Sequence, residues 1–173
     1  KKIELALGDI EKAIGKKVAI YASDACLMQM ASVVYEIKDK TDFIVGAEEN
    51  VPGVGFPYDT ILADLTANPG MDAEALSKMM VDKFEASYAG SGDNTTLSSI
   101  RSSKVEGFTA LLNAWVKAAA APALRKKLQE AEQDALSFEK GYNGNDTTGN
   151  ARSKDLYDFI DQDEFLRSRK NSR

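Results

Sequence analysis

Histidine is absent from this 173-residue chain, and cysteine occurs once. Without an imidazole the chain holds no Cys/His or Ser/His pair of its own, and any such reaction must draw its base from elsewhere. A lone cysteine forms no internal disulfide and leaves no second thiol to resolve an oxidised intermediate, which disfavours a thiol redox protein. Basic residues are in the minority, 22 Lys and Arg against 27 Asp and Glu for a net charge of -5, so nucleic acid is not the expected main partner. Long apolar runs are missing too. The least polar stretch, from Trp115 to Leu124, is interrupted by Lys117 and falls short of the roughly 18 apolar residues that span a membrane.

What the chain does contain, 43% hydrophobic residues, is enough for the core of one domain or the larger part of one. We read residues 1–173 as a single domain part, with a sheet-bearing half over 1–66 and a mainly helical remainder over 67–173. Ile3, Leu7, Ile10 and Ile14 recur at helical spacing before Gly15. Residues 17–23 then read as a strand, 27–38 as a helix and 42–47 as a second strand, a βαβ unit whose strands should be parallel. Residues 51–57 form a loop, and helices are expected over 59–68, 72–88 and 104–120, with a short strand at 97–101. Another amphipathic helix over 123–138, an exposed loop over 142–153 and a last helix over 156–166 complete the reading. The basic tail from Arg167 reads as a frayed end.

Cys26 is the residue that points to chemistry. It follows the apolar run Val18-Ala19-Ile20-Tyr21-Ala22 through the small polar turn Ser23-Asp24-Ala25. This is the carboxyl end of a strand, where open α/β sheets place reactive groups, and a following helix N-terminus would stabilise a thiolate. Lone cysteines are commonly buried packing residues; a turn that presents the side chain to solvent favours a nucleophile instead. Asp24, two positions earlier, points the same way if the segment is extended, setting a carboxylate beside the thiol.

Three motifs in order, Asp24-Ala25-Cys26-Leu27-Met28, Ala47-Glu48-Glu49-Asn50-Val51-Pro52-Gly53 and Gly55-Phe56-Pro57-Tyr58, resemble the clostripain family of cysteine peptidases. The resemblance covers the first third of the chain and thins beyond Tyr58. It implies an α/β fold, a caspase-like αβα sandwich with a mainly parallel sheet, completed by a separate light chain from the same precursor. It implies an endopeptidase in which Cys26 is the nucleophile and the light chain supplies the histidine, and a protein secreted by, or held in the cell envelope of, a bacterium. The chain opens on Lys1-Lys2 rather than Met, as a processing cut or a sequence edge would leave it, and any targeting signal would lie upstream.

By the same resemblance Asp24 belongs to an acidic S1 pocket that pairs with a P1 Arg or Lys, and Val54 and Phe56 fall in the substrate-binding loop. Family sequences place a second acid where this chain has Val54. Either Asp24 alone recruits a basic P1 residue, or Glu48, Glu49 or Asp59 substitutes, or the pocket takes something less cationic. Phe56 and Tyr58 either line the cleft or anchor the loop to the core. The alternative function is a non-catalytic caspase-like module that binds a peptide or partner without cutting it. No cofactor is required. Glu48-Glu49 and Asp161-Gln162-Asp163-Glu164 are the places where calcium would bind, but they lack EF-hand spacing and read as solvated carboxylates. Met28, Met30, Met79 and Met80 read as core, and Asn94-Thr95-Thr96 and Asn145-Asp146-Thr147 as glycosylation acceptors only if a eukaryote secretes the protein.

Overall fold

The computed structural model describes residues 2–138 and 153–162. Within these residues three strands form one sheet in the order β1-β2-β3. Strand β1, Val18–Ala22, lies parallel to β2, Thr41–Gly46, with Val18 opposite Thr41 and Ala22 opposite Val45. Strand β3, Ser98–Arg101, runs antiparallel to β2, with Ser98 opposite Gly46. The sheet is therefore mixed, which corrects the expected mainly parallel one: among the described strands a single pair is parallel, because the chain re-enters the sheet beside β2 from the opposite direction.

Central position explains the composition of β2. A strand flanked on both sides and covered on both faces needs apolar side chains facing each way, and Ile44 and Val45 are both 0% exposed. On one face Ile44 and its partner Ile100 pack with Leu7 of α1 (Lys2–Ile14) and with Val34 and Ile37 of α2 (Ala31–Ile37). Gly15, at φ 70, closes α1 by donating to the Glu11 carbonyl at 2.9 Å, a left-handed C-terminal turn that glycine adopts without strain.

The other face belongs to α4 (Ala73–Tyr88). Its Ser77 hydroxyl accepts from Ser99, the residue opposite Val45, at 2.8 Å. The Asp72 carboxylate starts this helix by accepting from the Ala75 N–H at 2.8 Å. Beside it, α3 (Tyr58–Ala67) contributes Ile61 to an apolar cluster with Phe56 and Phe84, onto which Met79, Met80 and Tyr88 pack.

The chain divides into two compact units, 1–108 and 109–173, within α5 (Val105–Ala119). The return of β3 to β2 places α3 and α4 in the first unit, together with all three strands. In the second unit α6 (Arg125–Asp134) follows a short 3-10 turn at Pro122–Leu124, and α7 (Leu156–Gln162) is tied back by the Asp158 carboxylate accepting from the Leu136 N–H at 2.6 Å. The helix expected over 123–138 thus ends at Asp134, after which Ser137 pairs with Lys154 as an isolated bridge. Residues 139–152 and 163–173, which include Asn145, Asp163, Glu164 and the basic tail, lie outside the described residues.

Candidate active site

The helix expected from residue 27 begins at Ala31. Leu27 is the reason. Its φ of 60 makes it the one non-glycine with positive φ among the described residues, a conformation that costs about 1–3 kcal/mol and persists only where surrounding contacts impose it. The contacts are backbone bonds to the end of β2 and the chain leaving it. Ser23 N–H donates to the Val45 carbonyl at 2.9 Å, Leu27 N–H to Glu49 at 3.3 Å and Gln29 N–H to Ala47 at 3.0 Å. The chain thus climbs past the end of β1, turns at Cys26 and folds back toward β2. The thiol sits at the crest, exposed.

Among the described residues the helix after Cys26 starts only at Ala31, five positions on, which corrects the expectation that it begins at the thiol. The donor that reaches Sγ is the backbone N–H of Val51, at 3.3 Å, from the Pro/Gly loop after β2. This puts one oriented backbone dipole on the sulfur.

The same loop captures Asp24. Its Oδ2 accepts from the Phe56 N–H at 3.1 Å and from the Tyr58 hydroxyl at 2.9 Å. Gly55 makes the approach possible: at φ 73 it takes a left-handed turn, and a Cβ there would lie 2.5 Å from Oδ2. Tyr88 holds the turn from below, donating its hydroxyl to the Gly55 carbonyl at 2.8 Å. The hydrogen bond to the carboxylate, then burial, then the charge of Asp24 hold the Tyr58 phenol above the usual tyrosine range. Burial first, with the charges of Asp24 and Asp93 behind it, does the same to Tyr88.

Asp24, Cys26 and the 50–58 loop are therefore brought together, and the loop supplies a donor to each side chain. Val54 stands at the loop tip, 87% exposed. Phe56 is placed differently. Its ring is buried at 4% exposure, edge-on to Phe84 at 5.7 Å, and its backbone N–H is the part that faces Asp24. Asp59 lies at the start of α3. Glu48 and Glu49 have their N–H groups bound by the Thr96 hydroxyl at 3.0 and 2.9 Å. Among the described residues no three His, Cys, Asp or Glu side chains gather as metal ligands, and no helix is long and apolar enough to cross a membrane.

Sequence reasoning missed Gln29, Thr96, Ser98 and Tyr88. The visible signal for Gln29 was an amide wedged between Met28 and Met30; the other three touch the site only through the fold.

A mixed α/β sheet with a solvent-facing thiol on the turn after a strand defines the class: an α/β protein built to present a cysteine. The clostripain family profile matches residues 2–172, and the chain belongs to that family of cysteine peptidases. None of the curated proteins compared matches it. Among solved structures it is similar to a secreted C11 cysteine protease from Bacteroides thetaiotaomicron called iotapain, with 19% identity and a TM-score of 0.58 over 93% of this chain and 42% of that one. It is similar to a clostripain from the same organism in complex with the peptide inhibitor BTN-VLTK-AOMK, with 20% identity and a TM-score of 0.54 over 96% of this chain and 68% of that one. An inactive zymogen C11 protease from Parabacteroides distasonis is 28% identical over 60% of this chain and 28% of that one, with a TM-score of 0.47. The chain thus spans between about a quarter and two thirds of the solved relatives' lengths.

Proposed function

We propose that this chain is the nucleophile-bearing part of an extracellular cysteine endopeptidase that cuts after Arg or Lys. The observation that carries the reading is the shared loop: one segment, residues 50–58, donates a hydrogen bond to the Cys26 sulfur and holds the Asp24 carboxylate. A thiol and an anchored carboxylate on one exposed turn are what cleavage after a cationic side chain requires. The inhibitor bound by the Bacteroides clostripain, BTN-VLTK-AOMK, carries Lys next to its reactive group, and the iotapain relative is described as secreted; both agree with this reading.

The chemistry follows from the missing imidazole. A histidine on a companion light chain takes the proton of Cys26, and Sγ attacks the scissile carbonyl. The oxyanion is held by backbone N–H groups that include that of Cys26, and the imidazolium returns the proton to the leaving amine. Water then hydrolyses the thioester. Among the described residues β1 is an edge strand, and its outer side is where a light-chain strand would complete the sheet.

The test uses the whole precursor. The parent should hydrolyse peptides with P1 Arg or Lys and gain one adduct on Cys26 from a lysyl acyloxymethyl ketone. Cys26→Ala should lose turnover on the order of a million-fold while still binding substrate. Hydrolysis retained within about tenfold would remove Cys26 as nucleophile, and a parent that binds but never cuts would make the protein a binding module.

A further inference from the structure

We propose that Thr96 and Gln29 are positioning residues for the Cys26 thiol, a two-point brace that sets where the sulfur points. The proposal rests on the reading of Cys26 as the nucleophile. Neither side chain touches the sulfur; both act on the backbone that carries it or meets it.

Thr96 fixes the loop side. Its Oγ1 accepts from the N–H groups of Glu48 and Glu49 at 3.0 and 2.9 Å. With that turn locked, the Glu49 carbonyl accepts from Leu27 at 3.3 Å, and two residues further the Val51 N–H meets Sγ at 3.3 Å. One hydroxyl therefore governs a bond to the residue after Cys26 and a bond to Cys26 itself.

Gln29 fixes the turn side. At 3% exposure its Nε2 donates to the Ile44 carbonyl at 3.2 Å, the Ser98 carbonyl at 2.9 Å and the Ser98 hydroxyl at 3.0 Å. A single amide thus pins the end of the Cys26 turn to β2 and β3 together. Its Oε1 is buried with no protein donor among the described residues. It lies against Gly46, where a Cβ would come within 3.0 Å of it and 3.2 Å of the Met28 carbonyl carbon. An amide with an unmatched buried oxygen is a costly way to fill a core, so its gain lies in direction rather than packing. Between the two clamps stands Leu27 at φ 60. Freed of them, it would relax toward negative φ and swing the adjoining Cys26 away from the Val51 N–H.

The experiment compares the parent precursor with Thr96→Val, which keeps shape and loses the acceptor, Thr96→Ser, which keeps the hydroxyl, and Gln29→Met. For each, kcat per titratable thiol, KM, the iodoacetamide reaction rate of Cys26 and the melting temperature are measured. Misplacement of a reacting atom lowers kcat by roughly ten- to a hundredfold with KM within about twofold, and this is expected for Thr96→Val and Gln29→Met, with Thr96→Ser recovering most of the loss. Cys26 alkylation should slow about fivefold or more in the first two variants. A purely structural role would lower the melting temperature yet leave kcat per thiol, KM and alkylation unchanged, and that result overturns the brace. If the parent itself hydrolyses no peptide, the peptidase reading fails, while the alkylation rates alone still decide the brace. Should Gln29→Met not fold, the Val and Ser variants at 96 decide it.

Discussion

Cys26 and Asp24 lie two residues apart and are served by one loop, yet they are held by different means. Cys26 receives a backbone N–H from Val51, a donor that every residue type except proline supplies. Asp24 depends on side-chain identity as well: it needs the Tyr58 hydroxyl and the missing Cβ of Gly55, in addition to the Phe56 N–H. Within the loop, therefore, the thiol is met by backbone alone and the carboxylate by particular residues as well. Substitutions in the loop should disturb the carboxylate first and the thiol only when the backbone moves.

The largest effect that separates the two ends is expected from Asp24→Asn. A charge-assisted hydrogen bond contributes about 1.5–3 kcal/mol, so kcat/KM on P1 Arg or Lys peptides should fall by roughly ten- to two-hundredfold, with P1 Gln unchanged and Cys26 alkylation near the parental rate. An unchanged Arg-to-Gln ratio would remove Asp24 from the pocket. Gly55→Ala comes next. The positive φ costs about 1–3 kcal/mol for a side-chain-bearing residue, and the Cβ must push Asp24 aside. A lowered melting temperature together with a weakened basic preference is expected; a parental melting temperature would show that the turn is softer than described.

Tyr58→Phe should be milder, about 1 kcal/mol or less, because the ring is 54% exposed and solvent weakens a surface hydrogen bond. It also has a pH signature. The Tyr58 phenol is raised above the usual tyrosine value near 10 by its bond to Asp24. Its stabilising contribution is therefore complete below pH 10 and disappears as pH rises through the raised value, where a phenolate would face the carboxylate. Parent minus Tyr58→Phe stability, followed by denaturant melts across that window, should shrink toward zero above it; a constant difference would mean the hydroxyl does not bond Asp24. The smallest effect belongs to Val54→Asp. At an exposed loop tip an added carboxylate is screened by water, so a gain of a few-fold in preference for P1 Arg over Gln is expected, and no gain would place the tip outside the pocket.

Much of the architecture was legible from local pattern. The βαβ unit, both of its strands, the short strand near residue 100 and the positions of α3, α4 and α5 all follow from apolar period and capping, because those signals act between near neighbours. The start of α2 was not legible. Residues 27–30 carry helix-forming side chains, and it is backbone bonding to Ala47 and Glu49, with Leu27 forced to φ 60, that outweighs their propensity. The antiparallel return of β3 was hidden for the same kind of reason, since strand direction is set by how α4 packs and where the chain re-enters, and a four-residue strand records neither.

By itself the sequence determined that an exposed-turn cysteine follows a strand, that no imidazole within the chain can serve it, and that the chain belongs with clostripain-like peptidases, because residue type and spacing are properties of the line of the chain. Only the tertiary structure decided what surrounds that cysteine. Val51 in place of a helix terminus, Phe56 in the core with its N–H on Asp24, and Thr96 and Ser98 behind the Cys26 turn are contacts between segments far apart in sequence. Such contacts exist only once β2 has brought its two neighbours together, and hydrogen-bond geometry at about 3 Å leaves no trace in residue order.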